Sequence, residues 1–209
     1  MKIPEIKPGL ILHKETNSYI YANSLELPST THISIVDKYG NALSMTSTIE
    51  SSFGSRLMTN GGFLLNNELT DFSFQKEKKG KRVANNIEPN KRPRSSMAPT
   101  IIFKNDKPLF IIGSPGGSNI IGYVVNSIIG LVDWKMNVQQ AASIPHGINK
   151  FGTFYLEKNS KISLLKNQLE KKGYKVKLRN FYSGLNIIQI ENKLFGGSDH
   201  RREGVAIGY

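Results

Sequence analysis

Polar and apolar side chains alternate most regularly over residues 30–49. Residues 30–36 step between the two classes, as a strand with two unlike faces does. Asp37-Lys38-Tyr39-Gly40-Asn41 reads as a turn, and the alternation resumes over residues 42–49. A three-residue hairpin loop favours glycine at its third position, in the left-handed region, and Lys38-Tyr39-Gly40 fits. Asp37 then faces Asn41. Counting outwards pairs Val36 with Ala42, Ser34 with Ser44, His32 with Thr46 and Thr30 with Thr48. Directly opposed residues share a face. One face therefore carries Thr30, His32, Ser34, Ser44, Thr46 and Thr48, and the other Thr31, Ile33, Ile35, Leu43, Met45 and Ser47. Two readings of the polar face stand side by side. It is a solvated face rich in threonine because threonine forms strands well, or it aims two hydroxyls at each other.

Further along, residues 61–65 read as a third strand, and residues 101–103 and 109–112 as two more joined by Asn105-Asp106-Lys107. Ser114-Pro115-Gly116-Gly117-Ser118 opens a helix. Ile120, Ile121, Val124, Val125, Ile128, Ile129 and Val132 give it a wide apolar stripe. A short helix follows over residues 137–144. A third carries Ile162, Leu165 and Leu169 and ends at Gly173. Residues 174–178, 186–191 and 193–196 read as strands. The order of strands, helices and strands predicts a layered α+β domain over residues 30–209. Residues 1–29, with three prolines and no period, read as a leader.

Composition removes several kinds of chemistry. The 209 residues include no cysteine, which excludes disulfides, a thiol nucleophile and thiolate metal ligands. His13, His32, His146 and His200 are not at metal-binding spacing, so neither a metal nor a cofactor is expected. Lys and Arg number 28 against 16 Asp and Glu, a net charge of +12. Much of the excess lies in a basic loop over residues 75–94. That loop lacks interleaved aromatics and reads as solvated, not as a nucleic-acid site. The longest apolar stretch, residues 120–134, is broken by Gly122, Asn126, Gly130 and Asp133, short of the ~18 clean apolar residues of a spanning helix. Residues 1–8 show no apolar signal core, so the chain as written reads as cytoplasmic and without a membrane partner. Phosphate-loop and dinucleotide fingerprints are absent. The paired glycines Gly116 and Gly117 start a helix, where backbone N–H groups can face a developing oxyanion; alone, such a pair is most often only a turn.

Five stretches, in order, resemble the small, catalytic subunit of the gamma-glutamyltransferases, a family of N-terminal-nucleophile hydrolases. They are Thr30-Thr31-His32-Ile33-Ser34-Ile35-Val36-Asp37, Phe53-Gly54-Ser55, Leu64-Leu65-Asn66-Asn67-Glu68-Leu69-Thr70-Asp71, Pro93-Arg94-Ser95-Ser96-Met97-Ala98-Pro99-Thr100 and Gly113-Ser114-Pro115-Gly116-Gly117. The resemblance implies the αββα sandwich of that class, of which this chain would be the C-terminal portion, with the large subunit absent. It implies self-cleavage between Ser29 and Thr30. Thr30 would then be the nucleophile and its freed α-amine the base, with Thr48 hydrogen-bonded to Thr30. Gly116 and Gly117 would form the oxyanion hole. Glu68 and Asp71 would hold the ammonium of a glutathione-like gamma-glutamyl substrate, and Ser95 and Ser96 its carboxylate.

Three departures accompany the resemblance. Glu50 stands where the family often has asparagine, near the substrate's charged groups, in a form reminiscent of the cephalosporin-acylase-like branch. The segment between Asp71 and Ser95 is short and has no aromatic lid. The large subunit, which would supply an arginine for the substrate carboxylate, would have to come from a separate chain. The alternatives are a catalytically inactive fragment, a cephalosporin-acylase-like amidase, and a basic binding module.

Overall fold

The computed structural model describes residues 19–20 and 29–208. Most of the expected leader, and His13, lie outside the described residues. The strands are β1 (Tyr19–Ile20), β2 (Thr31–Val36), β3 (Ala42–Ser47), β4 (Glu77–Lys78), β5 (Lys81–Val83), β6 (Thr100–Lys104), β7 (Lys107–Gly113), β8 (Gly147–Lys150), β9 (Thr153–Glu157), β10 (Lys175–Arg179), β11 (Asn186–Ile190) and β12 (Leu194–Ser198). The helices are α1 (Ile120–Val132), α2 (Val138–Ala142) and α3 (Lys166–Lys171). The chain divides into two compact units, one containing Pro145–Phe181 and the other Tyr19–Ile144 with Tyr182–Tyr209.

In the smaller unit, β8 and β9 form a hairpin and β10 runs parallel to β9. A parallel return needs a crossover, and a 3₁₀ turn at Lys161–Leu165 followed by α3 provides it. Gly173, at φ +90°, ends the helix as expected. Leu156 and Val176 are buried beneath it. The hairpin β8–β9 has no counterpart among the expected strands.

The larger unit is built on an antiparallel sheet in the order β12-β11-β7-β6. The β2–β3 hairpin packs on one face of it and the helices on the other. Opposed residues define the faces. Gly113 pairs with Asn186 on the hairpin side, where a Cβ on Gly113 would fall onto the His32 ring. Ile187 pairs with Gly197 on the other side, and Gly197 lies against the backbone of Val138 in α2.

The hairpin has the register counted from its loop: His32 opposite Thr46, Ser34 opposite Ser44 and Val36 opposite Ala42. The Asp37 N–H donates to the Asn41 carbonyl at 3.1 Å, and Gly40 takes φ +85°. Its polar face, however, is turned inwards. His32 is 6% exposed, while Ile33, Ile35, Leu43 and Met45 are 42–47% exposed. The solvated polar face is therefore overturned. The reason is that the polar side chains find partners on the sheet. The Ser34 hydroxyl donates to the Asn186 carbonyl at 3.4 Å, and Asn186 Nδ2 donates to the His32 carbonyl at 3.1 Å. The Ser44 hydroxyl donates to the Ile112 carbonyl at 3.0 Å and accepts the Thr100 N–H at 3.1 Å. A polar group buried with its hydrogen bonds made avoids most of the desolvation cost.

Three other expectations change. Residues 61–65 form no strand. A tight loop closes there, with the Thr59 N–H on the Phe63 carbonyl at 2.9 Å, and only a single bridge joins Met58 to Leu64. The basic loop contains the hairpin β4–β5, turned by Lys79 and Gly80 at positive φ, with β1 parallel to β5. In α1 the inward stripe is Ile120, Tyr123, Val124, Ser127, Gly130 and Leu131, and Ile121, Val125 and Val132 face outwards. Among the described residues, no helix is long and apolar enough to cross a membrane.

The contact between Gly113 and His32 leaves no room for a side chain. Gly113→Ala is expected to destabilise the protein by roughly 1–3 kcal/mol, the usual cost of overpacking. Urea unfolding followed by circular dichroism measures it, and an unchanged midpoint would contradict the packing described.

Candidate functional site

Thr30 and Thr48 lie just beyond the paired strands, at the end of the hairpin opposite its turn. The register carries on to them, and the Thr30 hydroxyl donates to Thr48 Oγ1 at 3.3 Å. Thr48 Oγ1 also accepts the Glu50 N–H at 2.9 Å, which curls the chain after β3 back over the strand end. The Ser29 hydroxyl donates to the Glu50 carbonyl. Thr30 is buried, and it lines a cavity of about 540 Å³ together with Ser29, Pro115, Gly184 and Arg202.

His32 lies two residues along the same face. Its Nδ1 is 2.8 Å from Thr46 Oγ1 and its Nε2 3.1 Å from Ser34 Oγ. Burial pushes its pKa down to about 4, so the ring is neutral at pH 7. It packs between the hydroxyls of Thr46 and Ser34 and orders them.

Glu50 takes a left-handed backbone, φ +72°, uncommon for a residue with a Cβ. Its carboxylate accepts hydrogen bonds from Ser51 Oγ at 2.7 Å, from Thr70 Oγ1 at 3.3 Å and from Asn67 Nδ2. Asn67 leads directly into a 3₁₀ turn, Glu68–Asp71. Residues three apart in such a turn eclipse, which puts Glu68 and Asp71 on one side of it. Burial holds the Glu68 carboxyl above its ordinary value, and the charges of Asp71 and Glu50 push it the same way. Asp71 is also raised, first by burial and then by Glu50, against the pull of Arg94, whose Nη2 is 4.0 Å away. With the Arg94 guanidinium near Asp71, the three carboxyls together carry enough negative charge to suit an ammonium group. Ser95 and Ser96 follow Arg94 in the chain. The Ser95 hydroxyl accepts the Met97 N–H at 3.3 Å, and no described hydrogen bond ties either serine to Thr30 or the carboxyls.

Gly116 and Gly117 have φ +137° and +56°, and Gly117 begins the 3₁₀ turn Gly117–Asn119 that runs into α1. A side chain at Gly116 would strike the Tyr123 ring as well as strain the backbone. The first N–H groups of a helix have no partner within it. This turn is tethered by Ser114 Oγ, which accepts the Gly184 N–H at 3.1 Å.

Asp199-His200-Arg201-Arg202 is not simply a surface turn. Asp199 is 1% exposed. Its carboxylate accepts the Ser183 hydroxyl at 2.5 Å and Arg201 Nη1 at 2.9 Å. Arg202 Nη1 donates to the Thr30 carbonyl at 3.3 Å, which brings it to the candidate nucleophile. The only signal in the sequence was an acid followed by two adjacent arginines. Among the described residues, no group of three or more His, Asp or Glu side chains is placed to hold a metal ion.

Because the Glu50 charge raises both neighbouring carboxyls, Glu50→Gln is expected to lower the pKa of Glu68 and of Asp71 together. Carboxyl carbon NMR titration reads both, and a shift of neither would refute the cluster.

The sequence profile of the gamma-glutamyltranspeptidase family matches residues 6–209. The chain is 36% identical over 207 residues to the glutathione hydrolase proenzyme of Escherichia coli K12, covering 94% of this chain and 34% of that one. It is 38% identical over 186 residues to the glutathione hydrolase proenzyme of Bacillus subtilis 168, covering 86% of this chain and 30% of that one. A crystal structure of a mutant gamma-glutamyltranspeptidase from Helicobacter pylori superimposes with a TM-score of 0.73 at 39% identity, over 82% of this chain and 100% of that chain. The chain thus spans about a third of the length of these curated relatives. Its α+β architecture is that of N-terminal-nucleophile hydrolases, and by sequence and fold together the chain belongs to the gamma-glutamyltranspeptidase family, whose small-subunit region it covers.

Proposed function

We propose that this chain is the catalytic portion of a gamma-glutamyl hydrolase and transferase acting on glutathione-like amides, with Thr30 as nucleophile after scission of the Ser29–Thr30 bond. The observation that carries the reading is the buried Thr30 hydroxyl on Thr48 at the open end of the hairpin, beside the loop that bears Glu50. A threonine hydroxyl is a poor nucleophile unaided, and a neighbouring amine activates it. Scission leaves that amine on Thr30 itself.

In the forward step, Thr30 Oγ bonds to the gamma-carbonyl carbon while its proton passes to the α-amine. The carbonyl oxygen becomes an oxyanion facing the N–H groups of Gly116 and Gly117. Collapse breaks the C–N bond, and the departing amine takes the proton from the ammonium. An ester on Thr30 remains. Water or an amino-acid amine then attacks it, the α-amine again taking the proton, and as the ester C–O bond breaks that proton passes to Thr30 Oγ. Glu68 and Asp71, with Glu50 beside them, hold the substrate ammonium. Ser95 and Ser96, next to Arg94, receive the substrate carboxylate.

The working enzyme also needs polypeptide corresponding to the other two thirds of the relatives. The outward apolar faces of β2–β3 and of α1 support this, because such surface is normally covered. The second reading, an inactive fragment, is favoured by the same exposed faces if nothing covers them.

With that polypeptide present, intact-mass measurement is expected to show the chain split at Ser29–Thr30. Thr30→Ala is expected to stay whole and to lose at least roughly a thousandfold in turnover of a chromogenic gamma-glutamyl anilide. Retained activity in the variant would sink the assignment, and a persistent full-length wild-type mass would favour the inactive fragment.

A further inference from the structure

None of the roles above uses Arg202. Its guanidinium is nevertheless built into place. Nε donates to the Tyr182 carbonyl at 3.1 Å and Nη1 to the Thr30 carbonyl at 3.3 Å. Nη2 is buried and has no hydrogen-bond partner. The stem passes over Gly184, where a Cβ would come within 3.0 Å of Arg202 Cδ and 2.8 Å of Pro115 Cγ. A glycine there seats the arginine against the loop that leads into Gly116. Thr30, Pro115, Gly184 and Arg202 share the cavity beside the candidate nucleophile.

We propose that Arg202 is a positioning residue that keeps the freed α-amine of Thr30 in its unprotonated form near neutral pH. The inference rests on the proposed scission at Ser29–Thr30. The guanidinium touches a carbonyl oxygen only three covalent bonds from the Thr30 nitrogen. An α-amine ordinarily titrates near ~7.7–8.0, which leaves most of it protonated and useless as a base at pH 7. A positive charge held this close disfavours a second one and lowers that value. Arginine suits the task because it keeps its own charge at any pH at which the enzyme works.

Burial lowers the pKa of the guanidinium, while Tyr123, Asp199 and Glu203 face it and favour its charged form. Both guanidinium hydrogen bonds go to neutral carbonyls, so no hydrogen-bonded carboxylate cancels the charge. The Asp199 carboxylate lines the same cavity but is engaged by Arg201 at 2.9 Å. Glu203 also lines the cavity, and it is exposed to water, which screens it. His32 is neutral. Glu50 meets Ser29 through its backbone carbonyl, and its carboxylate is turned to Ser51, Asn67 and Thr70.

The test compares processed wild type, Arg202→Gln and Arg202→Lys, each with the remaining polypeptide present, in the pH dependence of kcat/KM for a gamma-glutamyl anilide. The acid limb is expected to move up by roughly one pH unit in Arg202→Gln, a loss of about four- to fivefold at pH 7 that approaches tenfold near pH 6 and disappears at pH 9. Arg202→Lys, which keeps the charge, is expected to retain a limb close to wild type. A loss in Arg202→Gln that is equal at every pH, or three coincident limbs, would overturn the proposal. So would a variant that no longer splits, which would assign Arg202 to scission instead. Wild type that remains whole by intact mass refutes the underlying reading itself, before any limb is compared.

Discussion

The larger unit depends on a row of half-buried hydroxyls and an amide, with the buried His32 among them, lying between two layers of strands. Most sheets meet through apolar side chains. Here β2 and β3 meet β7 and β11 through Ser34, Ser44, His32 and Asn186, and the hydrogen bonds run from side chain to backbone across the gap. Such bonds are directional, so they set the hairpin's register against the sheet more sharply than apolar packing does. The end of the hairpin is thereby fixed, and with it the two threonines beyond the last paired residues. The apolar side chains, displaced from this layer, point outwards.

Charge around Thr30 is sorted in a way the overall composition hides. The chain carries an excess of positive charge. Yet the groups gathered by the loop after β3 and the 3₁₀ turn that follows are carboxyls, two of them held above their ordinary pKa by burial and by the charge of Glu50. A cation from the far end of the sequence, Arg202, sits on the Thr30 carbonyl. The carboxyl cluster and the Arg202 guanidinium thus bracket one short stretch of backbone. The first is an acidic group of side chains, and the second lies on the carbonyl three bonds from the Thr30 nitrogen.

What could be read from the sequence was what local rules control. The hairpin was legible because a three-residue loop with glycine at its third position leaves one register. The cap at Gly173 and the β6–β7 turn followed from the same kind of rule. Which face of the hairpin is buried was not legible, because threonine and serine count as polar until their partners are known, and those partners lie on strands far away in sequence. The stripe on α1 failed in a related way. Isoleucine and valine occupy both sides of that helix, and periodicity cannot choose between an inner and an outer apolar face when both exist. Residues 61–65 read as a strand because they are apolar, but their two glycines serve a tight loop. Arg202 was invisible for the plainest reason: an arginine in a charged run looks solvated until the fold lays it against a specific carbonyl.

The hydrogen bond between Ser34 and Asn186 spans 152 positions, and that between Thr30 and Arg202 spans 172. Contacts so distant make a chain fold slowly, because the loop must close before anything repays its entropy. At roughly 5–20 residues per second, a ribosome releases Arg202 many seconds after Thr30. Throughout that interval the newborn hairpin lacks its arginine, and for nearly all of it the Asn186 partner of Ser34 and His32 as well. The geometry around Thr30 is therefore assembled last, as a by-product of chain order alone.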